Sequence, residues 1–238
     1  MAAGDASRKA VTFLKRPNCA QMFFIYPGRA DVFRDQGMTF LSFMQSAGLG
    51  DRNLAMIADP YNENYARGIS AEIPDLDALL GWHRQCLREL SQVTEIYHIG
   101  NSSGGYGAML FGHLLGANKV WAVAPRAATL ESADTAKTLL KDLLLSGGGG
   151  ATEHLVFYSP VNRQDRAFAE YFSSCPGVVM SPYEVPPLET VEGLQAPSFA
   201  AHDWNHWGVM RTLRTSGDLR RLMPPFVGAA GCQGQAAP

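Results

Sequence analysis

Residues 95–108 read Glu-Ile-Tyr-His-Ile-Gly-Asn-Ser-Ser-Gly-Gly-Tyr-Gly-Ala. The first five carry the apolar, β-branched and aromatic character of a buried strand, and from Tyr106 the chain returns to helical spacing. Between them stands Gly100-Asn101-Ser102-Ser103-Gly104, which fits G-x-S-x-G. A sharp strand-to-helix turn brings the residues two before and two after such a serine together, so neither position tolerates a side chain. The turn lifts one hydroxyl clear of the sheet, beside the unpaired N–H groups and positive dipole end of the next helix. Spacing chooses between the two serines. A pattern centred on Ser103 would put Asn101 where glycine is required, whereas centring on Ser102 puts Gly100 and Gly104 there. Ser102 is therefore the candidate nucleophile, and the N–H of Ser103 a candidate oxyanion donor. Two phosphate-binding alternatives fail on residue identity: a P-loop would need Lys and Ser/Thr where Tyr106 follows Gly105, and G-x-G-x-x-G is absent.

The chain has 238 residues, 46% of them hydrophobic, enough to bury one sizeable core. One α/β domain over residues 1–227 is expected, with a small, polar tail at 228–238 that lacks regular structure. A net charge of −2 without clustered Lys and Arg gives no basis for a nucleic-acid partner or an anionic membrane. No apolar stretch approaches the ~18 residues of a membrane helix. The start, Met-Ala-Ala-Gly-Asp-Ala-Ser-Arg-Lys, lacks the apolar segment of a signal peptide. Cys19, Cys86, Cys175 and Cys232 lie far apart without C-x-x-C spacing, which argues against a zinc site and suits reduced thiols. A cytoplasmic protein without a metal is the expectation.

Apolar β-rich runs at 21–26, 53–58, 95–99, 119–124, 154–158 and 177–183 alternate with helical periodicity at 75–90, 106–115 and 135–145. That alternation predicts a mainly parallel sheet flanked by helices on both faces. The last of these helices ends in Ser146 and four glycines at 147–150, which reads as a hinge. It lies between the strand after the elbow helix and the next strand, where a lid would sit, and the chain otherwise holds little or no lid material.

With these elements in this order, the chain resembles the α/β-hydrolase superfamily over residues 20–223. A strand ends in Tyr26-Pro27-Gly28, where the superfamily places its second oxyanion donor. The resemblance thus implies that the N–H of Gly28, or of Arg29 after it, serves there. Ala58-Asp59-Pro60 ends another strand, the elbow follows, and acid and histidine positions come late. Ala200-Ala201-His202-Asp203-Trp204-Asn205-His206-Trp207 is similar to the H-x-W-x-x-W segment around the catalytic histidine of esterase D and mycolyltransferase-type hydrolases, with alanines before the histidine where glycine is usual.

A serine hydroxyl needs a base to take its proton. Of six histidines, His83 and His98 precede the elbow, His113 lies along the helix after it, and His154 opens a strand. His202 and His206 alone occupy a late loop, before a helix expected at 208–222, in the superfamily order Ser, Asp/Glu, His. His202 is the candidate base and His206 its rival. The triad acid should sit beyond a strand between elbow and histidine. Asp165 fits, in the loop leading to a helix that begins near Arg166; as a rival reading it is simply that helix's N-cap. Glu184 is the reserve acid, Asp203 is too close along the chain to His202, and Asp59 precedes the elbow. Tyr26, Tyr61, Tyr65, Tyr106, Trp204 and Trp207 either pack or shape a pocket. The resemblance implies an α/β-hydrolase fold and hydrolysis of a small-molecule or acyl-carrier ester or thioester through an acyl-enzyme, without a cofactor. Acyl transfer to an alcohol or amine with the same triad, and a non-catalytic binding protein on the same fold, are the alternatives.

Overall fold

The structure is a computed structural model and describes residues 10–28, 49–127, 130–147, 150–158, 160 and 162–182, with the side chains of 130–133 excepted. Arg29, Glu184, His202, Asp203, Trp204, His206, Trp207, Cys232, the helix expected at 208–222 and the tail at 228–238 lie outside the described residues.

The strands are β1 (Val11–Leu14), β2 (Gln21–Tyr26), β3 (Asn53–Ile57), β4 (Glu95–Asn101), β5 (Lys119–Val123), β6 (Glu153–Tyr158) and β7 (Val178–Pro182). The described helices are α1 (Leu76–Glu89), α2 (Ser103–Leu114), α3 (Leu130–Ser146) and α4 (Arg163–Phe172). The strands form one seven-stranded sheet in the order β1-β3-β2-β4-β5-β6-β7. Among the described strands only β1 runs antiparallel to its neighbour; β2 through β7 pair in parallel. Every residue of β2 and β3 is buried, so neither face of the sheet's middle meets water, as parallel strands joined by crossovers require. The mainly parallel sheet expected from the sequence is present. Strand β1 was not anticipated: four half-buried residues on a sheet edge carry too little pattern.

Helix α1 begins where Asp75 accepts a hydrogen bond from the N–H of Ala78 at 2.8 Å, an N-cap that satisfies one of the orphan donors of its first turn. Helix α2 is buried from Ser103 to His113 and lies against the sheet. Its Phe111 stacks on Tyr26 and meets Tyr65 edge-on, and full burial of such a phenylalanine is worth ~1.5–3 kcal/mol. The helix expected at 135–145, in the place where a lid would sit, is a crossover helix between β5 and β6. Leu140 and Leu144 of α3 enter the core, and the Tyr106 hydroxyl donates to the carbonyl of Ala136 at 3.0 Å, fixing α3 onto α2.

The strand order places the site. The chain steps from β2 outward to β3, then returns across β2 to lay down β4 on its other side. At such a reversal the connections leave the carboxyl ends of the two strands in opposite directions, and a crevice opens between them. Tyr26 at the end of β2 is in register with Gly100 near the end of β4. Pro27-Gly28 and Asn101-Ser102 therefore meet at that crevice.

Candidate active site

Ser102 adopts φ 53° and ψ −126° between β4 and α2. A non-glycine residue in that region stores on the order of 1–3 kcal/mol of strain and persists only where its surroundings impose it. Those surroundings are visible on both sides. A Cβ on Gly100 would stand 2.1 Å from the carbonyl oxygen of Gly104, and one on Gly104 would stand 2.1 Å from that of Tyr26, so both glycines are sterically obligatory. The Ser102 N–H donates to the Val123 carbonyl at 2.9 Å, while its own carbonyl accepts from the N–H groups of Gly105 at 2.9 Å and Arg126 at 3.0 Å. Ser102 is half-buried and Ser103 is buried, at 5% exposure, so burial agrees with the glycine spacing in favouring Ser102 as the accessible hydroxyl. Ser103 is the first residue of α2, where an N–H has no intrahelical acceptor and faces the positive end of the dipole. Among the described residues, the other non-glycine residues with positive φ are Asn62, Asn64, Tyr65 and Ala124. They follow β3 and β5, so the strained backbone gathers along the same carboxyl edge of the sheet.

Gly28 closes the β2 side of the crevice. A Cβ there would lie 3.0 Å from the Ser102 Cβ. The N–H of Gly28, one of two expected to serve the oxyanion, is already committed: it donates to Asn101 Oδ1 at 2.9 Å. Gly28 thus stands at close approach to Ser102 with its N–H engaged by a side chain in this structure. Asn101, 3% exposed, was missed in the sequence because it occupies a position that G-x-S-x-G leaves free.

Asp165 does not cap its helix. The cap of α4 is Asn162, whose Oδ1 accepts from the N–H groups of Gln164 at 2.9 Å and Asp165 at 3.2 Å. The helix thus starts at Arg163, three residues before the expected Arg166, and Asp165 sits in its first turn. Its side chain is fully buried and paired with Arg126, Nη2 to Oδ1 3.1 Å. Arg126 lies just past β5, and its backbone N–H is the one bonded to Ser102. The structure therefore brings Ser102, Ser103 and Gly28 together and joins Asp165 to them through Arg126.

The four histidines set aside in the sequence are buried core residues. Tyr26 OH lies 2.7 Å from His83 Nε2 and 2.9 Å from His98 Nδ1, and His83 Nδ1 lies 2.7 Å from the Leu79 carbonyl. A carbonyl only accepts, so His83 carries its proton on Nδ1 and takes the Tyr26 hydroxyl proton at Nε2; the phenol oxygen then accepts from His98 Nδ1–H. Burial pushes the His83 imidazole down to about 4, and holds that of His98 well below the ordinary range. His154, neither of whose ring nitrogens has a hydrogen-bond partner among the described residues, is pushed down to about 3 by burial and by His113. Tyr26, Tyr65 and Tyr106 belong to this core rather than to a pocket; Tyr61, 39% exposed, is the one described tyrosine of the expected set that meets solvent appreciably. Among the described residues no group of three His, Cys, Asp or Glu side chains is placed to hold a metal ion.

A mainly parallel sheet with one antiparallel edge strand, a reversal between β2 and β4, and a strained serine between β4 and a buried helix define the class: the chain has the α/β-hydrolase fold. No protein-family profile and no curated protein matches the sequence. Among solved structures, the chain is similar to a component of a glycosylation-associated protein complex (Gap123) from Streptococcus agalactiae, at 14% identity and TM-score 0.52 over 73% of this chain and 39% of that one. It thus spans about two fifths of that chain's length. It is also similar to FphF, a fluorophosphonate-binding serine hydrolase from Staphylococcus aureus, at 13% identity and TM-score 0.48 over 84% and 83% of the two chains. A third likeness is to the S-formylglutathione hydrolase FrmB of Staphylococcus aureus, at 14% identity and TM-score 0.46 over 84% and 81% of the two chains. No described helix is long and apolar enough to cross a membrane.

Proposed function

We propose that the chain is a serine hydrolase that cleaves an ester or thioester of a small molecule or acyl carrier through an acyl-enzyme. The observation that carries this is Ser102 itself, held at φ 53° at the reversal of the sheet with its hydroxyl at the start of a buried helix. Ser102 Oγ attacks the acyl carbonyl as His202 takes its proton. The carbonyl electrons move onto oxygen, where the N–H of Ser103 stabilises them. The N–H following Gly28, that of Arg29, is proposed as the second donor. Collapse of the tetrahedral intermediate expels the alkoxide or thiolate, which receives the proton from His202. Water, deprotonated by His202, then releases the acid and regenerates Ser102. Asp165 holds the imidazole and balances its positive charge. These steps need no cofactor, and we place the protein in the cytoplasm.

The test is labelling with a fluorophosphonate, followed by intact-mass measurement after incubation with a panel of aryl esters and acyl thioesters. A covalent adduct on the peptide containing Ser102, with an acyl mass shift from one substrate class, is expected. Folded protein that takes up neither probe nor acyl group would leave the binding-protein alternative in its place.

A further inference from the structure

We infer that Asn101 is a positioning residue for the oxyanion side of the site, holding the end of β2 against the elbow. The inference rests on the serine-hydrolase reading of Ser102 and adds to it a residue that acts through the backbone.

The elbow is held unequally from its two flanks. On the β5 side, main chain bonds to main chain: Ser102 N–H to Val123 and Arg126 N–H to Ser102. On the β2 side the ladder reaches its last registered pair at Tyr26 and Gly100. The next residue is Pro27, which has no N–H to continue it. The first donor past the strand is the N–H of Gly28, and a side chain captures it, Asn101 Oδ1 at 2.9 Å. A side-chain amide thus holds the first backbone donor past the end of the strand.

The packing shows how much depends on that bond. At Gly28 a Cβ would lie 3.0 Å from the Ser102 Cβ and 3.1 Å from the Asn101 carbonyl oxygen. The β2 end therefore passes the nucleophile at van der Waals limit, and Gly28 cannot shift toward the elbow without displacing Ser102. Asn101 is buried, so its amide is not exchanged for water. Its neutrality also matters. Aspartate would offer Gly28 an equivalent acceptor, but would set a negative charge beside the site where the oxyanion develops, in surroundings of low dielectric.

The experiment compares wild type, Asn101→Ala, Asn101→Asp and Ser102→Ala by aryl-ester kinetics, phenylboronic acid inhibition, fluorophosphonate labelling and thermal unfolding. Misplacing a reacting group by about an ångström costs up to ~100-fold. For folded Asn101→Ala the expected result is a kcat loss of roughly 10- to 100-fold with KM within ~3-fold of wild type. The boronate inhibition constant should rise with the loss in kcat/KM, because a tetrahedral boronate tests oxyanion geometry without turnover. Asn101→Asp keeps an acceptor for Gly28 and should lose at least as much kcat, with an unfolding temperature lowered by the buried charge. A folded Asn101→Ala variant with wild-type kcat and labelling rate overturns the inference, whatever its thermal stability. If Asn101→Ala does not fold, Asn101→Asp decides, and wild-type kcat there overturns it equally. Wild type that neither labels nor turns over, or labelling that survives in Ser102→Ala, overturns the hydrolase reading and the inference with it. Loss confined to the Asn101 comparison leaves the reading of Ser102 intact.

Discussion

The backbone N–H of Arg126 donates to the carbonyl oxygen of Ser102 at 3.0 Å. Its guanidinium, at the other end of the same residue, holds the carboxylate of Asp165 at 3.1 Å. One residue thus spans from the strained turn to a buried acid beyond the next strand. The ion pair fixes the buried carboxylate in place.

Asp165→Asn keeps the shape and removes the charge. Kinetics and thermal unfolding measured on the same sample should show kcat lower by ~10²- to 10⁴-fold, as for an orienting carboxylate whose amide favours the wrong imidazole tautomer. A lowered unfolding temperature should accompany it, because Arg126 loses a buried counter-ion. If stability falls while kcat stands, Asp165 serves the ion pair alone, and Glu184→Gln becomes the variant that should abolish turnover.

Ser102→Ala should reduce aryl-ester turnover by at least ~10⁴-fold and abolish fluorophosphonate labelling while leaving the circular dichroism spectrum unchanged. Ser103→Ala retains the backbone N–H at the start of α2 and should keep most of the activity. An inactive Ser103→Ala beside an active Ser102→Ala would invert the frame of the elbow.

The elbow could be read from sequence because its constraint is local: a turn this tight forbids side chains at two fixed spacings, and Gly100 and Gly104 meet that demand. The parallel sheet was legible from buried runs between helical periods for the same reason. What stayed hidden depends on which strand ends meet. Asn101 and Arg126 acquire their roles from Gly28 and Asp165, 73 and 39 residues away along the chain. Asn162, as good a cap as aspartate and three residues earlier, displaced Asp165 from the helix terminus. Tyr26 shows a different limit. An aromatic at a strand end reads alike whether it faces a crevice or the core, and here it joins Met22 and Phe24 in the core cluster.

The proposal of His202 as the base rests on the resemblance of its segment to H-x-W-x-x-W, with Trp204 and Trp207 at its second and fifth following positions. His202→Ala should be nearly inactive. His206→Phe, which keeps a ring of similar size, should hold at least about a tenth of wild-type kcat/KM, a loss no greater than ~1.4 kcal/mol of transition-state stabilisation. The pair measured on one ester decides the assignment; the reverse ranking moves the base to His206 and leaves Ser102 as nucleophile.

The buried histidines set the pH range in which the fold holds. In the chain Leu79 carbonyl, His83, Tyr26, His98, every ring is neutral, and an added proton on His83 Nε2 would meet the Tyr26 O–H that now donates to it. The folded-state values of His83, about 4, and His154, about 3, lie below the ordinary 6.5, and that of His98 is also held well below it. Below 6.5 the unfolded chain takes up protons that the folded one refuses. Stability is thus complete above 6.5 and falls with pH from there toward the folded-state values, by up to ~1.4 kcal/mol per pH unit for each histidine. Urea midpoints should be level from about pH 8 to 7 and decline between about pH 6.5 and 5.5, above the range where ordinary carboxylates titrate. His154→Leu removes a ring whose two nitrogens have no hydrogen-bond partner among the described residues, so it should fold at neutral pH and show a shallower decline. A midpoint unchanged down to about pH 5.5 in the wild type would mean that these rings reach solvent or a partner when protonated, contrary to the burial seen here.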